Sequence, residues 1–333
     1  MFVAVVIGVG ALVATACGGA SGSTGSSGKS KSAEGEVAAA ADRLSGPSKP
    51  QLPVTVTGSD GVKVTVTDAS RIVTLRSSIS EAVYSLGLGG SVVGRDVSTT
   101  FDEAADVPIV TDGHEIAVEA LLSLDPTLVL VDTDTGPPER IKQLRDIGVP
   151  VVVFEPVVKI EDIGEHLRLV AQAVGLPERG DELAEKVDGQ LAAATQGLVE
   201  ADQPRVAFLY LRGNAGVYLL GGPGSGADSM IEAAGGIDVG TDMKLSRAFT
   251  PLTAEALVTA APDVLLLTTT GLESVGGIDG LIATPGVAQT PAGRTRTVIT
   301  IDDGLLYSFG VRTPKAIEVL AKQFAEAAAK EHG

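Results

Sequence analysis

Tyr210 and Arg212 stand two positions apart in the run VAFLYLR. Strand alternation puts Val206, Phe208, Tyr210 and Arg212 on one face and Ala207, Leu209 and Leu211 on the other. The Cα atoms of the tyrosine and the arginine are then about 7 Å apart. This pair has a specific chemical use. A tyrosine binds ferric iron as phenolate, yet its free pKa is about 10. Iron's charge and a nearby guanidinium both favour the ionised form. An arginine donating to the phenolate oxygen would also orient the ring. The same residues equally suit a strand end whose hydroxyl sits in solvent.

The chain has three histidines, of which His332 lies in the terminal tail. His166 falls in the charged helical stretch EDIGEHLRLV and reads as a solvated or boundary residue. His114 differs, because TDGHEIAVEA is a polar loop leading into a helix that carries Glu119. That makes His114 a candidate ligand at the mouth of its lobe. No catalytic constellation accompanies these residues: the sequence has no GxSxG, no Walker loop and no GxGxxG opening a helix after a strand. GGPGSGAD, from Gly221 to Asp228, lacks the Lys-Ser/Thr ending of a phosphate loop. It reads as a turn before the helix ADSMIEAAG, with backbone N–H groups at Gly222, Gly224 and Gly226 open to an anion or serving as a plain cap. The expected role is binding, not catalysis.

Composition narrows the partners. With 25 Lys and Arg against 42 Asp and Glu, the formal charge is -17, which repels phosphate backbones and disfavours nucleic acid. Seven Phe, four Tyr and no Trp leave few stacking platforms. One cysteine allows neither an internal disulfide nor a Cys-based zinc site. That cysteine, Cys17, follows the apolar run FVAVVIGVGALVATA, which is too short to cross a bilayer but suits a signal-peptide core. With Gly18 and Gly19 after it, the segment resembles the lipobox of bacterial lipoproteins, although Ala14 stands where Leu is usual and no Lys or Arg precedes the run. The resemblance implies acylation of Cys17 and a lipid anchor at the outer face of the cell membrane.

The elements that must position these residues follow from the pattern. Residues 1–17 are the expected signal peptide, and 18–50 a Gly- and Ser-rich tether that cannot bury enough surface to order itself. Residues 54–70 alternate Val and Thr around a Gly-containing turn, a β-hairpin signature. From 71 to 158, strand-like runs alternate with helical patterns, which predicts βαβ units and a largely parallel sheet. Residues 159–202 read as linking helices interrupted at GLPERG, and 203–330 repeat the α/β alternation. VEALLSLDPTLVLV from Val118 aligns without a gap on AEALVTAAPDVLLL from Ala254, matching Glu119 to Glu255 and Pro126 to Pro262. The expected fold is α/β and bilobal, with two Rossmann-like lobes joined by a long helix and a cleft between them.

From about Arg71 to Lys330 the chain resembles the class III, helix-linked solute-binding proteins of ABC importers for iron compounds and cobalamin, and more narrowly the HmuT-type haem-binding lipoproteins. The matching segments include LGLGGSVVGRDVSTTF, VTDGHEIAVEALLSLDPTLVLVDT, FLYLRGNAGVY, GSGADSMIEAAGGIDVG, PLTAEALVTAAPDVLLLTTTGLESVGG and LLYSFGVRTP. The resemblance implies haem as the transported ligand, with iron held between His114 and Tyr210 and with Arg212 supporting the phenolate. Tyr218 is a neighbouring or competing ligand in this reading. Thr268 stands near a position where relatives often carry Met, and so borders the expected pocket. Arg95, Arg247 and Arg294 are unranked donors for the haem propionates. Glu119 and Glu255, or neighbours such as Glu115, would dock on the two subunits of an ABC permease whose ATPase partners hydrolyse ATP. A ferric siderophore or cobalamin is the alternative cargo. A free Zn or Mn site would need several converging His and carboxylates.

Overall fold

The computed structural model describes residues 31–32, 43–198 and 203–331. Cys17, His332 and most of the expected tether lie outside these residues. Its first elements are β1 (Lys31–Ser32) and the antiparallel hairpin β2 (Val54–Thr57) and β3 (Lys63–Val66). Residues 43–50, which the sequence puts in the tether, pack on the first lobe. Leu44 is buried and its N–H donates to Ser85 O at 2.9 Å.

The first lobe runs β4 (Ile72–Thr74), α1 (Ser77–Ser85), β5 (Val92–Arg95), β6 (Thr111–Asp112), β7 (Glu115–Ile116), α2 (Val118–Leu122), β8 (Leu128–Asp132), α3 (Pro138–Asp146) and β9 (Val151–Phe154). Its four-stranded sheet has the order β5-β4-β8-β9, with every pair parallel. All five residues of β8 are buried, because helices and loops cover both faces of a parallel sheet. Alternation divides them: Leu128 and Leu130 join the core on one face, Val129 and Val131 the core on the other.

Two helices, α4 (Ile163–Ala173) and α5 (Pro177–Thr195), link the lobes. They approach closely at Gly180, where an added Cβ would lie 2.5 Å from the Ala171 Cβ. The second lobe follows with β10 (Arg205–Arg212), β11 (Val217–Gly221), α6 (Ala227–Ala233), β12 (Ile237–Asp238), α7 (Val239–Asp242), β13 (Phe249–Pro251), α8 (Ala254–Ala260), β14 (Val264–Thr268), α9 (Thr269–Ser274), α10 (Gly277–Ala283), α11 (Pro291–Thr295), β15 (Val298–Ile301), α12 (Asp303–Leu306) and α13 (Thr313–Glu331). Strands β15, β14 and β10 are parallel, as expected, but β11 pairs antiparallel with β10, and β13 antiparallel with β11. The reason is local. Only Gly213 to Gly216 separate β10 from β11, and a parallel return needs a crossover of a dozen residues or more. Among the described residues no helix is long and apolar enough to cross a membrane.

The internal repeat holds down to single hydrogen bonds. Arg71 O accepts from Thr127 N at 2.9 Å, and Arg205 O accepts from Asp263 N at 2.8 Å. Arg71 Nε donates to Leu124 O, and Arg205 Nε to Ala260 O, each at 3.0 Å. Asp125 and Ala261 occupy matched helix ends and share a φ of 44°, with a proline following each that cannot continue the helix.

One buried ion pair bridges the lobes. Glu81 on α1 accepts from Arg312 Nε at 2.9 Å and from the Arg312 backbone N–H at 3.2 Å. The pair is almost fully dry, with side-chain exposures of 0% and 6%. Arg312 also lies 5.4 Å from the Phe101 ring centroid. An added Cβ at Gly310 would meet a Glu81 carboxylate oxygen at 2.2 Å, so only glycine admits the carboxylate there. Nearby, Thr100 Oγ1 donates to Asp302 Oδ1 at 2.6 Å, again joining lobe to lobe.

His166 corrects the sequence reading. It is not a solvated helix residue but faces inward from α4, with Ile163, Leu167 and Val170 buried on the same helix. Its ring meets Phe154 edge to face at 5.8 Å. Burial, with the Arg76 charge adding to it, holds the imidazole pKa down at about 4.

Two stability measurements follow. Glu81→Ala leaves Arg312 buried without its counter-charge and should destabilise the protein by about 3–5 kcal/mol, read from urea midpoints; a loss under 1 kcal/mol would refute the pinning role. An unfolded histidine takes up a proton as pH falls through about 6.5, whereas the folded His166 resists protonation until about 4. Stability from His166 is therefore complete above pH 6.5 and lost on descent toward 4. The wild type should lose about 3 kcal/mol relative to His166→Leu over that window, measured as urea midpoints across pH.

Candidate functional site

His114 sits at the tip of the β6–β7 hairpin. Asp112 pairs with Glu115, so Gly113 and His114 form the two-residue turn. Gly113 has φ 58°, as the first central position of a II′ hairpin turn demands. The hairpin stands at the C-terminal edge of the first sheet, and backbone bonds fix it there. Gly136 N donates to His114 O at 2.9 Å, and Ile116 N donates to Gly136 O at 3.1 Å. The loop carrying Gly136 is held in turn by Asp132, the last residue of β8. Asp132 accepts from Thr135 N and Thr135 Oγ1 at 3.0 and 2.8 Å and pairs with Arg76 Nε at 2.9 Å. Burial pushes the Asp132 pKa up, while Arg76 and the Thr135 bonds oppose that rise. The His114 side chain itself is exposed.

Tyr210 and Arg212 end β10 at the C-terminal edge of the second sheet. The predicted alternation holds. Val206 and Phe208 belong to the core on one face with Tyr210 packed against it, whereas Ala207, Leu209 and Leu211 belong to the core on the other. Phe249 lies 5.6 Å from the Tyr210 ring and 6.4 Å from Phe208. The arginine meets the tyrosine at its ring. Its Cζ lies 4.6 Å from the Tyr210 ring centroid, so the cation rests on the aromatic face. Nη2 donates to Asp303 Oδ1 at 2.7 Å, and Nη1 donates to Leu211 O at 2.9 Å. Asp303 is steadied by Thr270 Oγ1, which donates to its second oxygen at 2.7 Å. The Asp303 carboxylate therefore orients this guanidinium.

The other candidates take the following positions. Tyr218 pairs with Leu211 across β10 and β11, so strand alternation turns it to the face opposite Tyr210. There it borders a cavity of about 440 Å3 with Leu252, Ala254, Thr284 and Pro285. Thr268 is 1% exposed and accepts from Gly271 N as the cap of α9, with Arg212 Nη1 3.4 Å away. It lies behind the arginine, away from solvent. In the glycine turn, Gly222 N donates to Ala248 O at 2.9 Å and Gly224 N to Asp228 Oδ2 at 2.7 Å. The Asp228 carboxylate already takes the place of an anion at Gly224. Gly226 closes the turn at φ 83°, with its Cβ position 3.1 Å from Phe309. Arg95 donates to the carbonyls of Val107 and Thr99, and Arg294 to that of Gln289. Arg247 is exposed beside β13. Glu119 and Glu255 are both exposed in the first turns of α2 and α8, and Glu115 is exposed beside His114.

Asp303, Tyr307 and Phe249 gather at the Tyr210 edge without having been singled out in the sequence. The only advance signal was that LLYSFGVRTP, which contains Tyr307, belongs to a segment shared with the resembling family. A larger cavity, about 510 Å3, lies between β2, β9 and α4 and is lined by Phe154, Glu165 and His166 among others, away from Tyr210 and His114. Among the described residues no three or more His, Cys, Asp and Glu side chains converge as a metal site.

A family model described as periplasmic binding protein matches residues 72–305. The solved haem-binding protein HmuT is similar at 38% identity, over 85% of this chain and 93% of that one, with a TM-score of 0.80. Variants of that protein with a His, a Tyr or an Arg replaced by Ala give the same TM-score. The haem-binding protein RhuT from Roseiflexus sp. RS-1 is 42% identical over 78% of this chain and all of that one, with a TM-score of 0.75. Among curated sequences, a cobalamin-binding protein of Halobacterium salinarum is 25% identical over 81% of this chain and 73% of its own length.

If Thr268 serves as a cap, Thr268→Val should cost about 1 kcal/mol in urea unfolding. A variant as stable as the wild type would contradict that role.

Proposed function

Since this chain belongs to the periplasmic binding protein family, we propose that it is an extracytoplasmic receptor that captures haem and delivers it to an ABC-type importer. Ferric iron in this reading is held between His114 and Tyr210. The observation that carries it is the Tyr210 edge: a tyrosine with Arg212 against its ring and Phe249 beside it. The cation supplies the positive charge that a bound phenolate needs, and the aromatic side chains supply an apolar wall for a flat macrocycle. His114 stands at the corresponding edge of the other sheet, with its ring unburied and its backbone tied. Open α/β sheets take ligands beyond the carboxyl ends of their strands. The Thr100–Asp302 bond brings the segments that follow β5 and β15 together, so the two edges adjoin.

Two relatives named as haem-binding, HmuT and RhuT, share 38% and 42% identity with the chain, against 25% for the cobalamin-binding protein of Halobacterium salinarum, which favours haem. Cobalamin is the second reading, and a ferric siderophore stands with it. Release would follow docking on the permease, with Glu119 and Glu255 as matched acidic contacts on the two lobes and Cys17 as the site of the lipid anchor. No step of catalysis is assigned to this chain.

Titration with hemin and, separately, with cobalamin tests the reading. The wild type should give a shifted Soret band with phenolate charge-transfer bands for hemin alone. Tyr210→Ala should remove the charge-transfer bands and weaken binding about 100-fold, or about 2.7 kcal/mol, and His114→Ala should alter the spectrum at smaller cost. An unchanged hemin spectrum with the wild type, or two variants that bind as the wild type does, would overturn the assignment.

A further inference from the structure

We infer that Tyr307 is a second tyrosine of the ligand site, one that donates its hydroxyl as a hydrogen bond to the Tyr210 oxygen when that oxygen binds iron as phenolate. The inference rests on the haem reading and concerns how the phenolate is held.

A half-buried phenolate needs donors, because an anion taken from water without hydrogen bonds is costly. The residue expected to supply one is Arg212, but Leu211 O and Asp303 hold its Nη1 and Nη2 while its Cζ lies over the Tyr210 ring, so the guanidinium meets the ring face and leaves room for a second donor at the oxygen. Tyr307 stands where that donor is needed. It follows α12 directly, and its N–H donates to Asp303 O at 3.3 Å, so the residue that anchors Arg212 also places Tyr307 one turn further on. Its ring packs edge to face on Phe208 at 6.2 Å, and Phe208 is the same-face neighbour of Tyr210 on β10. Its Oη is buried and has no hydrogen-bond partner among the described residues. Buried hydroxyls are nearly always bonded, so an orphan beside a candidate ligand is an unused donor.

The chemistry separates the two tyrosines. Tyr307 holds its ring on Phe208 with its hydroxyl buried, and a neutral phenol is a hydrogen-bond donor, so it is suited to donate, not to ligate. Tyr210 carries the cation on its ring and is suited to accept.

Tyr307→Phe keeps the ring and removes only the hydroxyl. In the hemin complex of the full chain, the variant should show shifted phenolate modes by resonance Raman and a charge-transfer band moved to lower energy. Hemin release should be about tenfold faster, equivalent to about 1.4 kcal/mol. A role limited to packing would change the melting temperature and leave the Raman modes in place. Unchanged modes and release in Tyr307→Phe, while Tyr210→Ala abolishes both bands, would overturn this inference alone. A wild type that takes up no hemin would overturn it together with the haem reading.

Discussion

The Glu81–Arg312 pair decides what the two lobes share. One apolar core already runs from Leu130 of the first lobe through Leu167 and Leu183 of the linking helices to Phe208 and Leu266 of the second. A carboxylate from α1, fully buried and bonded to both the side chain and the backbone of Arg312, fixes one lobe against the other. Such a pair is strongly directional, since separating its members would strand two charges in a dry interior. The Thr100–Asp302 bond adds a second point of attachment close to the C-terminal strand edges.

Beyond that pin, the molecule is built twice from one unit. A strand begins with an arginine, a short helix ends before a proline, and a second strand follows. The arginine closes the unit by donating to carbonyls at the helix end. The last residues of the second strands then diverge. Asp132 in the first copy steadies the loop that holds the His114 hairpin, while Thr268 in the second caps α9 and backs Arg212. One scaffold therefore presents two different chemistries at equivalent edges.

The Tyr210 edge is layered. Thr270 steadies Asp303, Asp303 orients Arg212, and Arg212 lies on the Tyr210 ring. Phe208, Phe249 and Tyr307 complete an aromatic patch in a protein with few aromatic residues. The 510 Å3 cavity near His166 is lined by Glu155, Asp162 and Glu165 and includes none of these aromatic side chains, only Phe154 from its own wall.

Alternation in VAFLYLR was enough to place Tyr210 and Arg212 on one face, and the pairing of Glu119 with Glu255 and Pro126 with Pro262 was enough to reveal the doubled unit, because period and repeat are properties of the chain itself. Apolar β-branched runs likewise declared two sheets buried on both faces. What Arg212 bonds to, which way Tyr218 points and whether the glycine turn is free depended on residues far away in sequence: Asp303, the register of β11, Asp228 and Ala248. His166 shows the same limit, since a charged helical stretch conceals an inward face until another element packs on it. Local pattern specifies which side chains share a surface, whereas hydrogen-bond partners and desolvation arise only when distant segments meet, and those decide which polar groups remain available to a ligand.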